Sequence, residues 1–280
     1  MNISTTLGRF PNLRVTLKCA FLAWATAALC LPAHAECNEV FFSTLAKKYH
    51  AKETVNEEMG ACKALPNNAD LSVFVLPVER LRKNEVGHEY DVDVLLVRTS
   101  DSSVVSRVLH QNLFTSDTRY VAQLSVDTAN YSVGNSIAGK AEGKRAFGVR
   151  LAISSRAPRN NYGTEELMLY QRQGDKLVQL LPLFQTAATS GEEDAKNECF
   201  TDYAEVRRTL SMASTSSGGL SDINVKQERS TQVTSNGKAF PANSPCLKGR
   251  GALLSPASFT LKFDGKRYVA PQGFGAIRFK

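Results

Sequence analysis

Two aspartates and a histidine have types and spacing that could support catalysis. Asp91 and Asp93 alternate in the segment EYDVDVLLVRT, and His110 ends the next apolar segment. Alternate residues of a strand share one face, so the two carboxylates could act as an acid–base pair or bind Ca²⁺. Together with His110 they could form the site of a hydrolase. A solvated sheet face explains the same alternation more simply.

A group of arginines forms a second candidate site. Arg156 and Arg159 lie with Tyr162 in the segment SSRAPRNNYGT, and Arg145 and Arg150 precede them. Connections that contain proline and glycine often display binding residues on a rigid scaffold. Guanidinium groups bind carboxylates or phosphates through paired hydrogen bonds. We therefore predict a binding site for an anionic partner at Arg156, Arg159 and Tyr162, with solubilising charge around a loop as the simpler alternative.

Short motifs of familiar catalytic and cofactor sites are absent from the sequence. It contains no G-x-S-x-G, H-E-x-x-H, P-loop, G-x-G-x-x-G or EF-hand pattern. We therefore assign no catalytic residue and predict no cofactor.

The first 35 residues have the organisation of a secretory signal peptide. Arg9, Arg14 and Lys18 precede the apolar run CAFLAWATAALCL, and Ala33-His34-Ala35 has the small-x-small spacing of a cleavage site. The run is shorter than the roughly 18 to 20 residues that a membrane-spanning helix needs. We predict a mature chain 36–280 that has no transmembrane anchor and is periplasmic or secreted.

Charge argues against nucleic acid as a partner. The leader holds three of the 34 basic residues and none of the 27 acidic ones, which leaves a formal charge of +4 on the mature chain. No cluster of five or more Lys and Arg residues is present. An anionic envelope component or an acidic protein is the partner that the arginines favour.

Four cysteines remain in the mature chain, Cys37, Cys62, Cys199 and Cys246. An even number in an oxidising compartment predicts disulfides. A metal site would need closely spaced ligands, and these cysteines form no C-x-x-C pair, so no metal site is predicted. Four cysteines allow three connectivities, and we favour Cys37 with Cys62 and Cys199 with Cys246 because each pairing closes a local loop.

Helical spacing is confined to the start of the mature chain. Phe41, Leu45 and Tyr49 recur on one helical face, with Asn38 as a candidate N-cap. The capping-box pattern of TVNE, 54–57, followed by a glycine, predicts a second short helix. Residues 36–66 are therefore expected to form a helical segment tied by a disulfide.

From residue 67 to residue 280 the chain is expected to form an all-β body. Candidate strands cover 71–78, 89–99, 104–110, 119–126, 146–154, 165–172, 176–184, 205–212, 222–227, 258–264 and 267–271. Three reversals predict hairpins, at 100–103, at Gly174-Asp175 and at Asp264-Gly265, the last as a two-residue type I′ turn. Segments 213–221 and 228–245 are expected to be exposed loops. The predicted fold is a mainly β, antiparallel sandwich or barrel-like body with a short N-terminal helical segment, and the alternative is propeller-like.

Several short motifs resemble those of a group of uncharacterised exported proteins of proteobacteria. They are Cys62-Lys63 with Pro66, Asp127-Thr128 with Tyr131, RAFGVR at 145–150, Ser190-Gly191-Glu192 leading to Cys199, and FDGKRY at 263–268 with Pro271. The resemblance covers nearly the whole mature chain. It implies export and a cysteine-bearing, β-rich body, and it implies no activity.

Two functions follow from these features. The first is an exported, non-enzymatic binding or interaction protein of the bacterial envelope. The alternative is a periplasmic hydrolase whose site includes Asp91, Asp93 and His110.

Overall fold

The structure is a computed structural model that describes residues 39–66, 68–81, 87–117, 119–134, 145–155, 162–192, 201–235, 238–239 and 257–277. All of them belong to one compact unit, Ala35–Lys280. The described residues form the helix α1 (Glu39–Tyr49) and the strands β1 (Thr54–Val55), β2 (Ala61–Leu65), β3 (Asn68–Leu81), β4 (His88–Arg98), β5 (Ser103–Ser116), β6 (Tyr120–Ser132), β7 (Arg145–Ser155), β8 (Gly163–Gln173), β9 (Lys176–Glu192), β10 (Thr201–Ser217), β11 (Leu220–Ser235), β12 (Lys238–Ala239), β13 (Ala257–Phe263) and β14 (Tyr268–Val269).

The strands form two antiparallel sheets. In sheet 1, β3 pairs with β4 and β4 with β5, while β1 and β2 pair with the other edge of β3. Sheet 2 is a meander from β6 to β11 that ends with β13 and β14, and β12 pairs with the far end of β11. The predicted mainly β body with a short N-terminal helix is therefore confirmed, and it is sandwich-like rather than propeller-like.

Alternation along the strands builds three hydrophobic layers. Between the two sheets, Val92 and Val94 of β4 pack with Val149 of β7 and Met168 of β8. On the outer face of sheet 1, α1 packs through Phe42 and Leu45 against Phe74, Leu76, Leu95 and Val97. On the other face of sheet 2, residues of β8 and β9 pack with Ile223 of β11 and Leu261 of β13. Strand β4 is consequently buried on both faces from Tyr90 to Val97.

Sheet 2 curves, so that its later strands return towards its first one. Strand β10 pairs with β9 only over Asp202–Arg207, whereas it pairs with β11 from Thr201 to Ser217. The β10–β11 turn then reaches the end of β6, where Ser221 N donates to Val133 O at 2.9 Å and Gly134 pairs with Leu220. The inner face of this curve holds the third hydrophobic layer.

The three predicted hairpins are confirmed, with one difference in turn type. Gln173 pairs with Lys176 around the two-residue turn that contains Gly174, whose φ of 66° suits glycine. The turn between β13 and β14 has four residues rather than two, because Phe263 pairs with Tyr268. The side chain of Asp264 accepts hydrogen bonds from the backbone N–H groups of Lys266 and Arg267, which favours the wider turn.

The predicted second helix is wrong. Thr54 and Val55 instead pair with Glu79 and Val78 as β1, and residues 61–65 form β2 in sheet 1. A helix of only a few residues is marginally stable in water. Pairing with the edge of β3 satisfies the same backbone N–H and C=O groups.

The loops predicted at 213–221 and 228–245 are wrong where the structure describes them. Strand β10 continues to Ser217, and Gly218 and Gly219 turn the chain directly into β11. Strand β11 continues to Ser235, and β12 follows at 238–239. Serine and threonine are frequent in these segments, and their β propensity is fully compatible with a solvent-exposed hairpin.

Candidate functional site

The residues of the predicted hydrolase site do not converge. Asp91 and Asp93 share the face of sheet 1 that α1 covers. His110 pairs across the sheet with Val92, which faces sheet 2. His110 therefore lies on the opposite face of sheet 1 from the two carboxylates.

Asp93 is the buried centre of a polar network under α1. Its side chain is fully buried, and Arg107 donates to both of its oxygens, from Nε at 2.9 Å and from Nη2 at 2.7 Å. The ring Nε2 of His50, just after α1, lies 2.8 Å from Oδ2 of Asp93, and its Nδ1 lies 2.6 Å from Glu53. The Arg107 guanidinium also lies over the ring of Tyr49. The network joins the end of the helix to sheet 1.

Asp91 makes a second set of structural contacts on the same face. Arg80 donates to its Oδ2 from Nε and Nη2, each at 2.6 Å, and Asn112 N donates to its Oδ1 at 2.8 Å. Every carboxylate oxygen of Asp91 and Asp93 is therefore engaged by a cation or a backbone N–H. These contacts explain two aspartates on a buried strand without a catalytic role.

His110 lies between the sheets against a buried tyrosine. The Tyr170 hydroxyl lies 2.8 Å from Nε2 of His110 and 3.1 Å from the sulfur of Met168. Burial lowers the pKa of His110 and raises the pKa of Tyr170. The pair is a satisfied polar contact within the core.

A polar cleft of about 570 Å³ opens on the inner face of sheet 2. Five successive strands line it, from β6 to β10. The lining side chains include Asp127, Tyr131, Arg150, Glu165, Thr186 and Arg208. Concave sites that combine a few convergent polar groups with apolar walls are typical of ligand-binding sites.

Arg150 crosses the floor of the cleft between two carboxylates. Its Nε and Nη2 donate to Oδ2 of Asp127 at 2.8 and 2.6 Å, and its Nη1 donates to Glu165 at 2.5 Å. Thr186 donates to Glu165 at 2.7 Å, and the Tyr131 hydroxyl donates to Asp127 at 2.8 Å. The charge of Arg150 is therefore fully compensated, and the network fixes the shape of the floor.

The pKa of Asp127 reflects these contacts. Burial alone would raise it. Hydrogen bonds from Ala129 N, Tyr131 and Arg150, together with the Arg150 charge, outweigh burial and hold the pKa below its ordinary value. Asp127 therefore remains ionised at neutral pH.

Arg208 differs from Arg150 in having no carboxylate partner within 4 Å in the described part of the chain. It is only 6% exposed. Its guanidinium donates to Gln227 Oε1 at 2.9 Å and to the carbonyl oxygens of Gln185 and Gly275 at 3.1 and 2.7 Å. It also lies against the ring of Phe184. Burial lowers its pKa to about 10, so the group is still a cation at neutral pH.

The predicted arginine loop begins and ends at this cleft. Ser154 and Gly163 line the cleft, and Ser155 N donates to Tyr162 O at 2.8 Å across the base of the loop. Tyr162 is 43% exposed, and its ring meets the ring of Tyr120 edge-on. Arg156 and Arg159 lie outside the described residues.

Of the four cysteines, only Cys62 lies among the described residues. It lies in β2 and packs against the hydrophobic layer that holds α1 on sheet 1. Cys37, Cys199 and Cys246 lie outside the described residues, so both pairings stay predictions.

Arg208 is a cleft residue that the sequence-based prediction of sites did not include. A signal was present, because Arg208 alternates with Val206 and Leu210 in the predicted strand EVRRTLSM. That spacing places a cation on the apolar face of the strand. A buried arginine at an alternating apolar position is a feature that charge counts and short motifs do not detect.

Comparisons with protein-family models, curated proteins and solved structures found no match to this chain. Within the described ranges, no helix has the length and apolarity to cross a bilayer. In the same residues, no three His, Cys, Asp or Glu side chains come together in a way that could hold a metal ion.

Proposed function

We propose that the mature chain is an exported, non-enzymatic binding protein of the bacterial envelope, and that it binds an anionic group in the cleft of sheet 2. The observation that carries the proposal is Arg208, a buried cation that lines the cleft and is held by neutral acceptors alone among the described residues. An uncompensated buried charge is costly, and an incoming anion offsets that cost.

The cleft lining balances three arginines against three carboxylates, and the ion pairs among them leave Arg208 as the lining arginine without a carboxylate partner. Among its lining residues, Arg150 is matched by Asp127 and Glu165, and exposed Arg207 is paired with Glu205. Segment 155–162, which joins two lining strands, contains Arg156 and Arg159 and no acidic residue. The groups that such guanidinium clusters recognise are phosphates and carboxylates.

The proposal that the protein is exported rests on the predicted signal peptide and on the cysteines. Cleavage after residue 35 would place the four remaining cysteines in an oxidising compartment. The pairing of Cys37 with Cys62 is supported by the position of Cys62, because the layer that it contacts includes Phe42 of α1, and α1 begins two residues after Cys37. Such a bond would tie the N-terminus of α1 to sheet 1.

The first test combines export with retention on membranes. We expect the full-length chain, expressed in a Gram-negative host, to be recovered from the periplasm with Glu36 at its N-terminus and without free thiols. The purified protein should be retained by vesicles that contain an anionic phospholipid and not by purely zwitterionic vesicles. The double variant Arg156→Ala/Arg159→Ala should lose most of this retention, because two phosphate-binding groups are removed.

The matched control is Arg98→Ala, which removes a half-exposed arginine of sheet 1 that does not line the cleft. We expect it to be retained like the wild type.

Inorganic phosphate as a competitor distinguishes the sources of the anion, since release by phosphate indicates recognition of the phosphate group rather than of the lipid surface. Equal retention of the double variant and the wild type would contradict the role of the loop. Recovery from the cytosol with the leader attached would contradict export.

A further inference from the structure

A second cavity, of about 810 Å³, opens at one end of the space between the two sheets. Its inner wall is apolar and includes Leu65 and Leu71 of sheet 1 and Phe147 of sheet 2. Leu71, Leu96 and Phe147 are buried residues of the layer between the sheets. The cavity is therefore an open end of the main hydrophobic core. Without a ligand, water in the cavity would contact apolar residues of this core.

Two arginines lie at the mouth of this cavity. Ala146 pairs with Gln171, so Arg145 lies directly opposite Arg172 on the neighbouring strand. Phe147 of β7 and Tyr170 of β8 point into the space between the sheets, and side chains two residues away share their face. Both guanidinium groups therefore lie on the cavity side, and both residues line the cavity.

These two cations have no carboxylate oxygen within 4 Å in the described ranges. Arg145 has no ion pair there, and Arg172 donates only to the carbonyl oxygen of Gly174 at 2.7 Å. Like charges directly opposite each other on adjacent strands destabilise a sheet. An anion between them would remove the repulsion, and two adjacent guanidinium groups match the geometry of a carboxylate.

We propose that this cavity binds a fatty acid, with the alkyl chain between the sheets and the carboxylate between Arg145 and Arg172. The apolar wall requires a partner with a hydrophobic chain, and the paired cations require an anionic head. The two requirements together exclude a small inorganic anion and an uncharged lipid as the best ligand. The inference does not rest on the function proposed above, because it concerns a different cavity on the other face of sheet 2.

The test is a calorimetric titration of the mature protein with laurate, below the concentration at which laurate forms micelles. We expect saturable binding at one site. The double variant Arg145→Gln/Arg172→Gln should bind laurate at least about tenfold more weakly, since hydrogen bonds to a charged group are lost. Arg119→Gln should bind it like the wild type. Acetate, which lacks the chain, should give no measurable heat, and lauryl alcohol, which lacks the charge, should bind more weakly than laurate.

Several results would overturn the proposal. They are no binding of laurate by the wild type, unchanged binding by the double variant, or lauryl alcohol binding as tightly as laurate. Circular dichroism of each variant separates loss of the site from loss of the fold. The variant Arg208→Gln should retain laurate binding, because Arg208 lines only the other cleft. A failure at one site can therefore be distinguished from a failure at the other.

Discussion

Replacement of Asp93 with alanine is expected to lower the free energy of unfolding by about 3–5 kcal/mol. The side chain of Asp93 is fully buried and is the shared partner of Arg107 and His50. Its removal leaves the part-exposed Arg107 guanidinium and the buried ring of His50 without their shared carboxylate, and removing one partner of such a pair strands the groups that it bound. Urea denaturation followed by circular dichroism measures the change.

The matched control for Asp93 is Asp70→Ala. Asp70 pairs with Arg98 at 3.5 Å, and about half of each side chain is exposed. Exposed ion pairs contribute little to stability, so the denaturation midpoint of this variant should stay close to that of the wild type. A similar loss in both variants would show that the network under α1 has no special role.

Replacement of Phe74 with alanine is the second large effect that we expect, again about 3–5 kcal/mol. Phe74 is 1% exposed and packs under α1, with ring centroids 5.1 Å from Phe41 and 6.2 Å from Phe42. Truncation removes the apolar surface that holds the helix on sheet 1, and it leaves a cavity that close-packed neighbours fill only in part. Denaturant unfolding of the purified variant gives the loss directly.

Leu109→Ala provides the comparison for Phe74. Leu109 is 41% exposed, so its truncation should change the free energy of unfolding by no more than about 0.5 kcal/mol. If Phe74→Ala lowered the free energy of unfolding no more than Leu109→Ala, the packing of Phe74 would not anchor α1 on sheet 1.

Most of the sheet structure could be predicted from the sequence, because apolar and polar residues alternate along strands that end at turn residues. The two-residue turn at Gly174 illustrates this, since the turn residues and both flanking strands were predicted. Strand ends were less predictable. Strand β9 extends to Glu192 and β10 to Ser217 through small polar residues whose strand pairing depends on long-range neighbours.

The positions of Asp91 and Asp93 could not be predicted from alternation alone. Two alternating aspartates are typical of a solvated face, yet in the structure α1 covers that face, and Arg80 and Arg107 neutralise the two carboxylates. The helix and the aspartates are far apart in sequence, so only the tertiary fold brings them together. The run YDVDVLLV, which is apolar on both faces except for the aspartates, was the local sign that β4 is central.

The candidate site was predicted only in part. The sequence pointed to the segment around Arg156, Arg159 and Tyr162, and the structure places the base of that segment at the cleft. The cleft itself comes from the curvature of sheet 2, which brings β10 and β6 together. Nothing in local sequence patterns reports this curvature, and it is the reason that Arg208 and Arg150 line the same cleft.

The measurement that tests the central claim most directly is a calorimetric titration of the mature protein and of Arg208→Gln with inorganic phosphate at low ionic strength. The wild type should bind phosphate at one site, and the affinity should fall as salt is added, because the interaction is electrostatic. Arg208→Gln should show no measurable binding while it keeps its fold and its response to laurate. Phosphate binding that is absent from the wild type, or unchanged in Arg208→Gln, would contradict the assignment of the cleft as an anion-binding site.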